Sequence, residues 1–149
     1  MPRRLPRTSR SLPIALLRAR ESVMGPIRTL LSETGVTEQQ WRVLRVIEEN
    51  DAIDPTQIAA QTCLLLPSLT RILQKLEEKA FIARTRDSAD RRRQLISITD
   101  EGRALIAANI ETALALAEHT RSKLGAERHD LLLDLLNELH EGDDPQFGS

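Results

Sequence analysis

The chain has 149 residues, with 21 Lys+Arg against 22 Asp+Glu, a formal charge of −1, and 40% hydrophobic and 29% charged residues. This balance fits one globular domain with a modest core rather than a disordered chain. No apolar run approaches the roughly 20 residues that span a bilayer. The single cysteine, Cys63, excludes an intrachain disulfide or a cysteine-rich zinc site.

Residues 1–10 carry Arg3, Arg4, Arg7 and Arg10 without an acid and read as a disordered basic arm. The apolar stretch Leu12 to Leu17 stops at Arg18, short of the roughly 7–15 apolar residues of a secretory signal. An organellar transit peptide shares this composition, but a cytoplasmic protein is the simpler expectation. A first helix is predicted over 11–33, with Leu16, Leu17, Val23, Met24, Ile27, Leu30 and Leu31 on one stripe. Pro26 predicts a kink, or a break near Met24.

Thr37-Glu38-Gln39-Gln40 has the form of a capping box and opens a second helix, whose buried side is Trp41, Val43, Leu44, Val46 and Ile47. Asp54-Pro55 opens a third, shorter helix carrying Ile58, Ala59 and Ala60. The apolar link Cys-Leu-Leu-Leu at 63–66 is too short and greasy for a solvated loop. A fourth helix then runs from Pro67 to about Lys79 over Leu69, Ile72, Leu73 and Leu76. The period changes at Phe81–Thr85 and Gln94–Ile98, which read as a hairpin with a charged tip of eight or nine residues. Thr99-Asp100-Glu101 restarts a helix that reaches Leu124 and ends at Gly125. A last helix over 127–141 carries Leu131, Leu132, Leu133, Leu135, Leu136 and Leu139, and 142–149 reads as a disordered tail.

Charge is segregated along this chain. Residues 1–20 hold six Arg and no acid, residues 71–93 hold eight basic residues against four acids, and 127–144 hold seven acids against Arg128 alone. Such segregation points to a polyanion on one face, against the bland alternative of solvated helix faces that differ in sign. A short helix, a tight link, an amphipathic helix and a charged hairpin together make a winged helix-turn-helix, a mainly α fold with a small β-hairpin. Its second helix presents one face to the major groove of double-stranded DNA.

On that helix Ser68, Thr70, Arg71 and Gln74 are the expected base readers, with Lys75 alongside for phosphate. Arg84, Arg86, Arg91, Arg92 and Arg93 supply hairpin contacts to phosphate, and an arginine at the tip suits the minor groove. Strand alternation would put Arg91 and Arg93 on one face and Arg92 on the other. Asp87 or Asp90 beside them is suited to hold a guanidinium in place.

Leu69-Thr70-Arg71-Ile72-Leu73-Gln74-Lys75-Leu76-Glu77-Glu78-Lys79, then Asp87 to Arg92, then Ile98-Thr99-Asp100-Glu101-Gly102 resemble the MarR family of bacterial transcription regulators. The resemblance covers about 12–140. Ser11-Leu12, Ala15 to Glu21, Thr37 to Arg42 and Cys63 to Thr70 look like the family's regulators of homoprotocatechuate degradation operons. The family wing commonly has a basic residue where this chain has Ala89.

The resemblance implies a single domain over 11–141, with a DNA-binding lobe at about 37–99 and dimerisation helices at about 11–33 and 103–141. It implies a homodimer on a pseudo-palindromic operator, acting as a repressor released by a phenolic or aromatic acid. The leucines of the first and last helices independently call for a partner surface. Candidate ligand residues are Arg20, on the apolar stripe and in need of a carboxylate, and Trp41, suited to stack on a phenyl ring. Arg42 and Arg45 flank Trp41. The structural alternatives are Arg20 paired with an acid of a second subunit, and Trp41 as plain core.

Cys63 reads as a packed thiol, and His119, His129 and His140 lack ligand spacing and read as surface residues. No phosphate loop, nucleophile elbow or carboxylate–His cluster suggests an enzyme, a cofactor or a metal. Two further readings stay open: the same fold answering a hydroxycinnamate or its coenzyme A thioester, and a protein-interaction module that does not bind DNA.

Overall fold

The structure is a computed structural model that describes residues 1–141, so the tail expected at 142–149 lies outside the described residues. A single 3₁₀ turn, Thr8–Arg10, precedes α1 (Leu12–Leu31), α2 (Glu38–Glu48), α3 (Pro55–Thr62) and α4 (Leu66–Glu78). The antiparallel hairpin β1 (Ile82–Arg86) and β2 (Gln94–Ile98) follows, then α5 (Asp100–Leu124) and α6 (Ala126–Glu141). Among the described residues no helix is long and apolar enough to cross a membrane.

The local signals act as their chemistry requires. Thr37 Oγ1 accepts from the Gln40 amide at 3.1 Å while the Thr37 amide donates to Gln40 Oε1 at 3.1 Å, closing the capping box of α2. Asp54 Oδ1 accepts from the Gln57 amide at 2.9 Å and caps α3. The spacing of apolar residues then sets the core. Val43, Leu44 and Ile47 of α2, Ile58 of α3, and Leu69, Ile72, Leu73 and Leu76 of α4 are buried together with Ile53, Ile82, Ile96 and Ile98. Ile53 exchanges two backbone hydrogen bonds with Ile96, at 3.0 and 2.8 Å, so β2 is held along both edges.

Several expectations are corrected. α1 continues through Pro26 without a break near Met24. A proline forfeits one helical hydrogen bond, and the half-buried Met24, Ile27 and Leu30 on either side still have a surface to cover. α4 opens one residue early, at Leu66, and the hairpin tip is the seven residues 87–93. The link before α4 is not buried: Cys63 and Leu65 are exposed, because Cys63 takes the left-handed conformation (φ 55°) that ends α3 and turns the chain outward.

The chain divides into two compact units, Met1–Thr112 and a second beginning at Ala113, where the sequence suggests one domain over 11–141. The first contains the whole buried core. In the second, Arg121 of α5 reaches Asp130 of α6 at 3.8 Å, and no residue of α6 is buried.

Two backbone positions carry testable consequences. The α4 helix ends in a Schellman turn, with Ala80 at φ 63° and the Phe81 amide donating to the Leu76 carbonyl at 3.0 Å. That left-handed position favours glycine. At Gly102, a Cβ would collide with the Phe81 carbonyl oxygen and lie 2.7 Å from Ile98 Cγ1. Ala80→Gly should therefore raise stability by about 0.5–1 kcal/mol. Gly102→Ala should lower it by about 1–3 kcal/mol. Urea unfolding measures both, and an unshifted midpoint for Gly102→Ala would refute the close approach.

Candidate nucleic-acid interface

The α4 helix buries Leu69, Ile72, Leu73 and Leu76 and leaves Ser68, Thr70, Arg71, Gln74 and Lys75 exposed on its other side. Thr70 Oγ1 donates to the Leu66 carbonyl at 2.9 Å and Lys75 Nζ lies 3.5 Å from Glu78. Arg71 takes part in none of the ion pairs of the helix or hairpin. No side chain caps the start of α4, where Leu65 occupies the N-cap.

The hairpin arginines fall into two groups. Arg84 Nε lies 3.3 Å from Glu77 and its Nη1 donates to Gln94 Oε1 at 3.3 Å, which ties β1 to α4 and to its own hairpin. Arg86 Nη1 donates to the Arg91 carbonyl at 2.8 Å. Arg93 donates through Nε and Nη2 to Asp54 Oδ2, at 3.1 and 2.7 Å. Arg91 and Arg92 are exposed at the tip and join no ion pair among the described residues.

Strand alternation does not order 91–93, because these residues belong to the turn and β2 begins at Gln94. Nor do the tip aspartates chiefly hold guanidinium groups. Asp87 Oδ1 accepts from the Ala89 amide at 2.9 Å and Asp90 Oδ1 from the Arg92 amide at 3.1 Å, so both brace the backbone of the turn. Asp87 Oδ2 is 3.9 Å from Arg93 Nη1, a weak second contact.

Between the starts of α3 and α4 and the wing lies a groove of about 540 Å³, lined by Asp54, Thr56, Gln57, Leu66, Arg92 and Arg93 among others. The MarR family profile matches residues 36–93, the stretch from the start of α2 to the end of the hairpin tip. The chain is 38% identical over 134 residues to the HTH-type transcriptional regulator FarR of Neisseria gonorrhoeae, covering 90% of this chain and 92% of that one.

The chain belongs to the MarR family. It is also 38% identical over 131 residues to the homoprotocatechuate degradative operon repressor of Escherichia coli, covering 86% of each chain. Its fold matches that of NadR solved in complex with 4-hydroxyphenylacetate, with a TM-score of 0.84 and 36% identity over 96% of this chain and 100% of that one. These relatives are regulators of transcription rather than enzymes, and the α3–α4 pair with its hairpin is the winged helix-turn-helix of the family.

In this MarR-family chain the four ligand candidates do not line a common groove. Arg20 is exposed on α1, whose ion pair joins Arg28 to Glu21 instead. Trp41 is buried against the core at 7% exposure. Arg42 Nη1 donates to the Thr62 carbonyl at 2.7 Å and its Nε lies 3.2 Å from Glu38, so it fastens α2 to the end of α3. Arg45 is exposed, 3.6 Å from Glu49. None of the four lines the groove at the wing or a second one, of about 460 Å³, between Arg28, Leu31, Val36 and Gln39.

Cys63 is exposed rather than packed. His119 and His140 are exposed and His129 is half-buried, 3.4 Å from Asp130. Among the described residues no cluster of three or more His, Cys, Asp or Glu is placed to hold a metal.

Asp54 is the residue whose wing contact sequence reasoning missed. Its cap of α3 is legible in Asp54-Pro55, but its partner Arg93 lies 39 positions away and only folding brings them together. The Gln57 amide, and after it Arg93, hold its carboxyl below the usual aspartate range against the opposing effect of burial. A depressed carboxyl stabilises the fold above the unfolded-state value, and that contribution is lost as pH falls through the folded-state value.

Acid unfolding of Asp54→Asn should accordingly lose part of the wild-type pH dependence below about pH 4. An acid limb identical to wild type would contradict this. On DNA, Arg71→Ala should cost about 1–3 kcal/mol and relax sequence preference. Arg92→Ala should weaken binding to all sequences and reduce the salt slope by about 0.9. Anisotropy titrations at several salt concentrations separate the two, and a change in sequence preference on Arg92→Ala alone would reverse the assignment.

Proposed function

We propose that this protein is a cytoplasmic, homodimeric DNA-binding repressor that leaves a pseudo-palindromic operator when it binds a small aromatic acid of the 4-hydroxyphenylacetate or homoprotocatechuate class. The observation that carries the DNA part is the row Ser68, Thr70, Arg71, Gln74 and Lys75 exposed on α4, on the same lobe as a wing with two uncommitted arginines. The matched relatives support the effector class: one represses a homoprotocatechuate operon, and the solved NadR holds 4-hydroxyphenylacetate.

The homodimer is supported by apolar side chains that a single chain leaves bare. Leu12, Leu16, Leu17 and Val23 of α1, Ile110 and Leu114 of α5, and Leu131 to Leu133, Leu135 and Leu139 of α6 are exposed, more than a lone soluble domain leaves uncovered. A second copy is the natural cover, with α1, α5 and α6 as the dimerisation helices. The lobe over 37–99 then reads DNA, and residues 1–10 form a basic arm.

Arg20 shares the exposed side of α1 with Leu16, Leu17 and Val23 and has its guanidinium free for a carboxylate. It is the strongest of the four ligand candidates. Trp41 ranks behind it because its ring is buried in the core, and Arg42 and Arg45 because each already has an acidic neighbour. A ligand that favours one lobe arrangement shifts the spacing of the two recognition helices, and a 100-fold loss of operator affinity needs only about 2.7 kcal/mol of coupling.

The test is an anisotropy titration on the DNA upstream of the protein's own gene, with and without 4-hydroxyphenylacetate and 3,4-dihydroxyphenylacetate. Specific binding released by either compound is expected, with Arg20→Ala weakening effector response about tenfold while leaving operator affinity intact. Specific binding indifferent to both compounds would discard the effector class. Binding no tighter than to random duplex would discard the regulator and favour the interaction module.

A further inference from the structure

The wing of a winged helix is a hairpin whose basic tip must meet the DNA backbone in a defined place. A two-stranded hairpin alone is marginally stable in water, so something must hold its far end. In this chain the inner part of β2 is fastened at Ile96, through the two backbone hydrogen bonds to Ile53. The tip lies beyond that anchor. Its own turn bonds, Asp87 amide to Arg93 carbonyl at 2.9 Å and Arg93 amide to Asp90 carbonyl at 3.0 Å, close the loop without attaching it to the helices.

Arg93 supplies the attachment. Its Nε and Nη2 both reach Asp54 Oδ2, and the other oxygen of the same carboxylate caps α3 through the Gln57 amide. The Asp54 side chain is 16% exposed, well sheltered for an acid. Asp54 directly follows Ile53, so the strand-like segment before α3 grips the wing twice, by backbone at Ile96 and by charge at Arg93. An aspartate on a DNA-facing groove would by itself repel phosphate. Its charge is tolerable there because a guanidinium is bound to it, and two of that guanidinium's three nitrogens are thereby already engaged.

We propose that Arg93 is a positioning residue rather than a phosphate contact: bound to Asp54 at the start of α3, it latches the wing tip to the helix-turn-helix and holds Arg91 and Arg92 in place for DNA. The inference rests on the DNA-binding reading of this lobe. It assigns opposite consequences to residues that simple charge counting would treat alike.

The test uses the full-length protein and a duplex recovered by selection from a random pool. Asp54→Asn keeps a good N-cap for α3 and removes one negative charge, so charge alone predicts tighter DNA binding. The latch predicts weaker binding, by about tenfold, the scale set by ordering one or two long side chains on association. Arg93→Gln should weaken binding by the same factor, the double variant should be no worse than either single one, and Arg93→Lys should recover most of the loss. Thermal unfolding of each variant checks that the lobe itself is intact.

A readout without DNA accompanies these titrations. Amide exchange at Ala89, Arg92 and Arg93 should quicken in the free Asp54→Asn and Arg93→Gln proteins, while amides of α2 and α4 stay protected. Tighter or unchanged DNA binding by Asp54→Asn would overturn the proposal and return Arg93 to the phosphate contacts. Unchanged tip exchange would overturn it as well, even if no duplex were selected and the DNA reading itself had failed.

Discussion

The two hydrogen bonds between the backbones of Ile53 and Ile96 hold this lobe together as a reading head. Ile96 is fully buried and sits opposite Arg84 in the hairpin register, so β2 is paired with β1 on one edge and with the start of α3 on the other. Without that second pairing β2 would be hydrogen-bonded along one edge only, with Ile82, Ile96 and Ile98 left to hold the wing to the helices by packing alone. With it, the hairpin, the short α3 and the buried face of α4 share one core of aliphatic side chains, and their relative positions follow from close packing.

Charge is then distributed on this scaffold by whether a carboxylate is within reach. Arg84 is taken by Glu77, Arg93 by Asp54 and Arg42 by Glu38, and each of these pairs joins the arginine's element to a neighbour or braces it. Partly exposed pairs of this kind contribute little stability each. Their value is geometric, since they stiffen the joints between elements that the core fixes only at one end. What remains without a carboxylate among the described residues of the same lobe, Arg71 and Lys79 at α4, Arg86 on β1, and Arg91 and Arg92 at the tip, is the set that long-range attraction to a polyanion can use. A near-neutral chain thus presents a locally basic surface.

The terminal helices follow a different logic. The α1, α5 and α6 helices have helical periodicity and many leucines, yet α6 buries none of its residues and α1 buries only Leu31. An amphipathic helix that stays bare in one chain is completed by another surface. On that bare side Arg20 sits among leucines with no acid bound to it among the described residues. A guanidinium in that setting is stable while solvated, and on coverage it calls for a carboxylate.

Local signals along the chain are enough to set the elements of the lobe and most of its core. The capping box at Thr37, the Asp54-Pro55 start and the spacing of Leu69, Ile72, Leu73 and Leu76 are local signals. Their physics, a side chain bonding an amide three residues on or a stripe repeating every three or four, acts within a single helix. The exposed face of α4 was legible for the same reason, as the complement of the buried stripe.

Folding alone settles which charges are already engaged. Arg91, Arg92 and Arg93 are identical letters in a row, and nothing local separates them. The fold brings Asp54 to Arg93 across 39 positions and leaves its two neighbours free. The fate of Cys63 and Leu65 was hidden too, because a left-handed residue at the end of α3 turns an apolar link outward where hydropathy alone would bury it. Hydrogen bonds within a helix are written in the order of residues. Pairing between distant side chains depends on where the packed core sets them down.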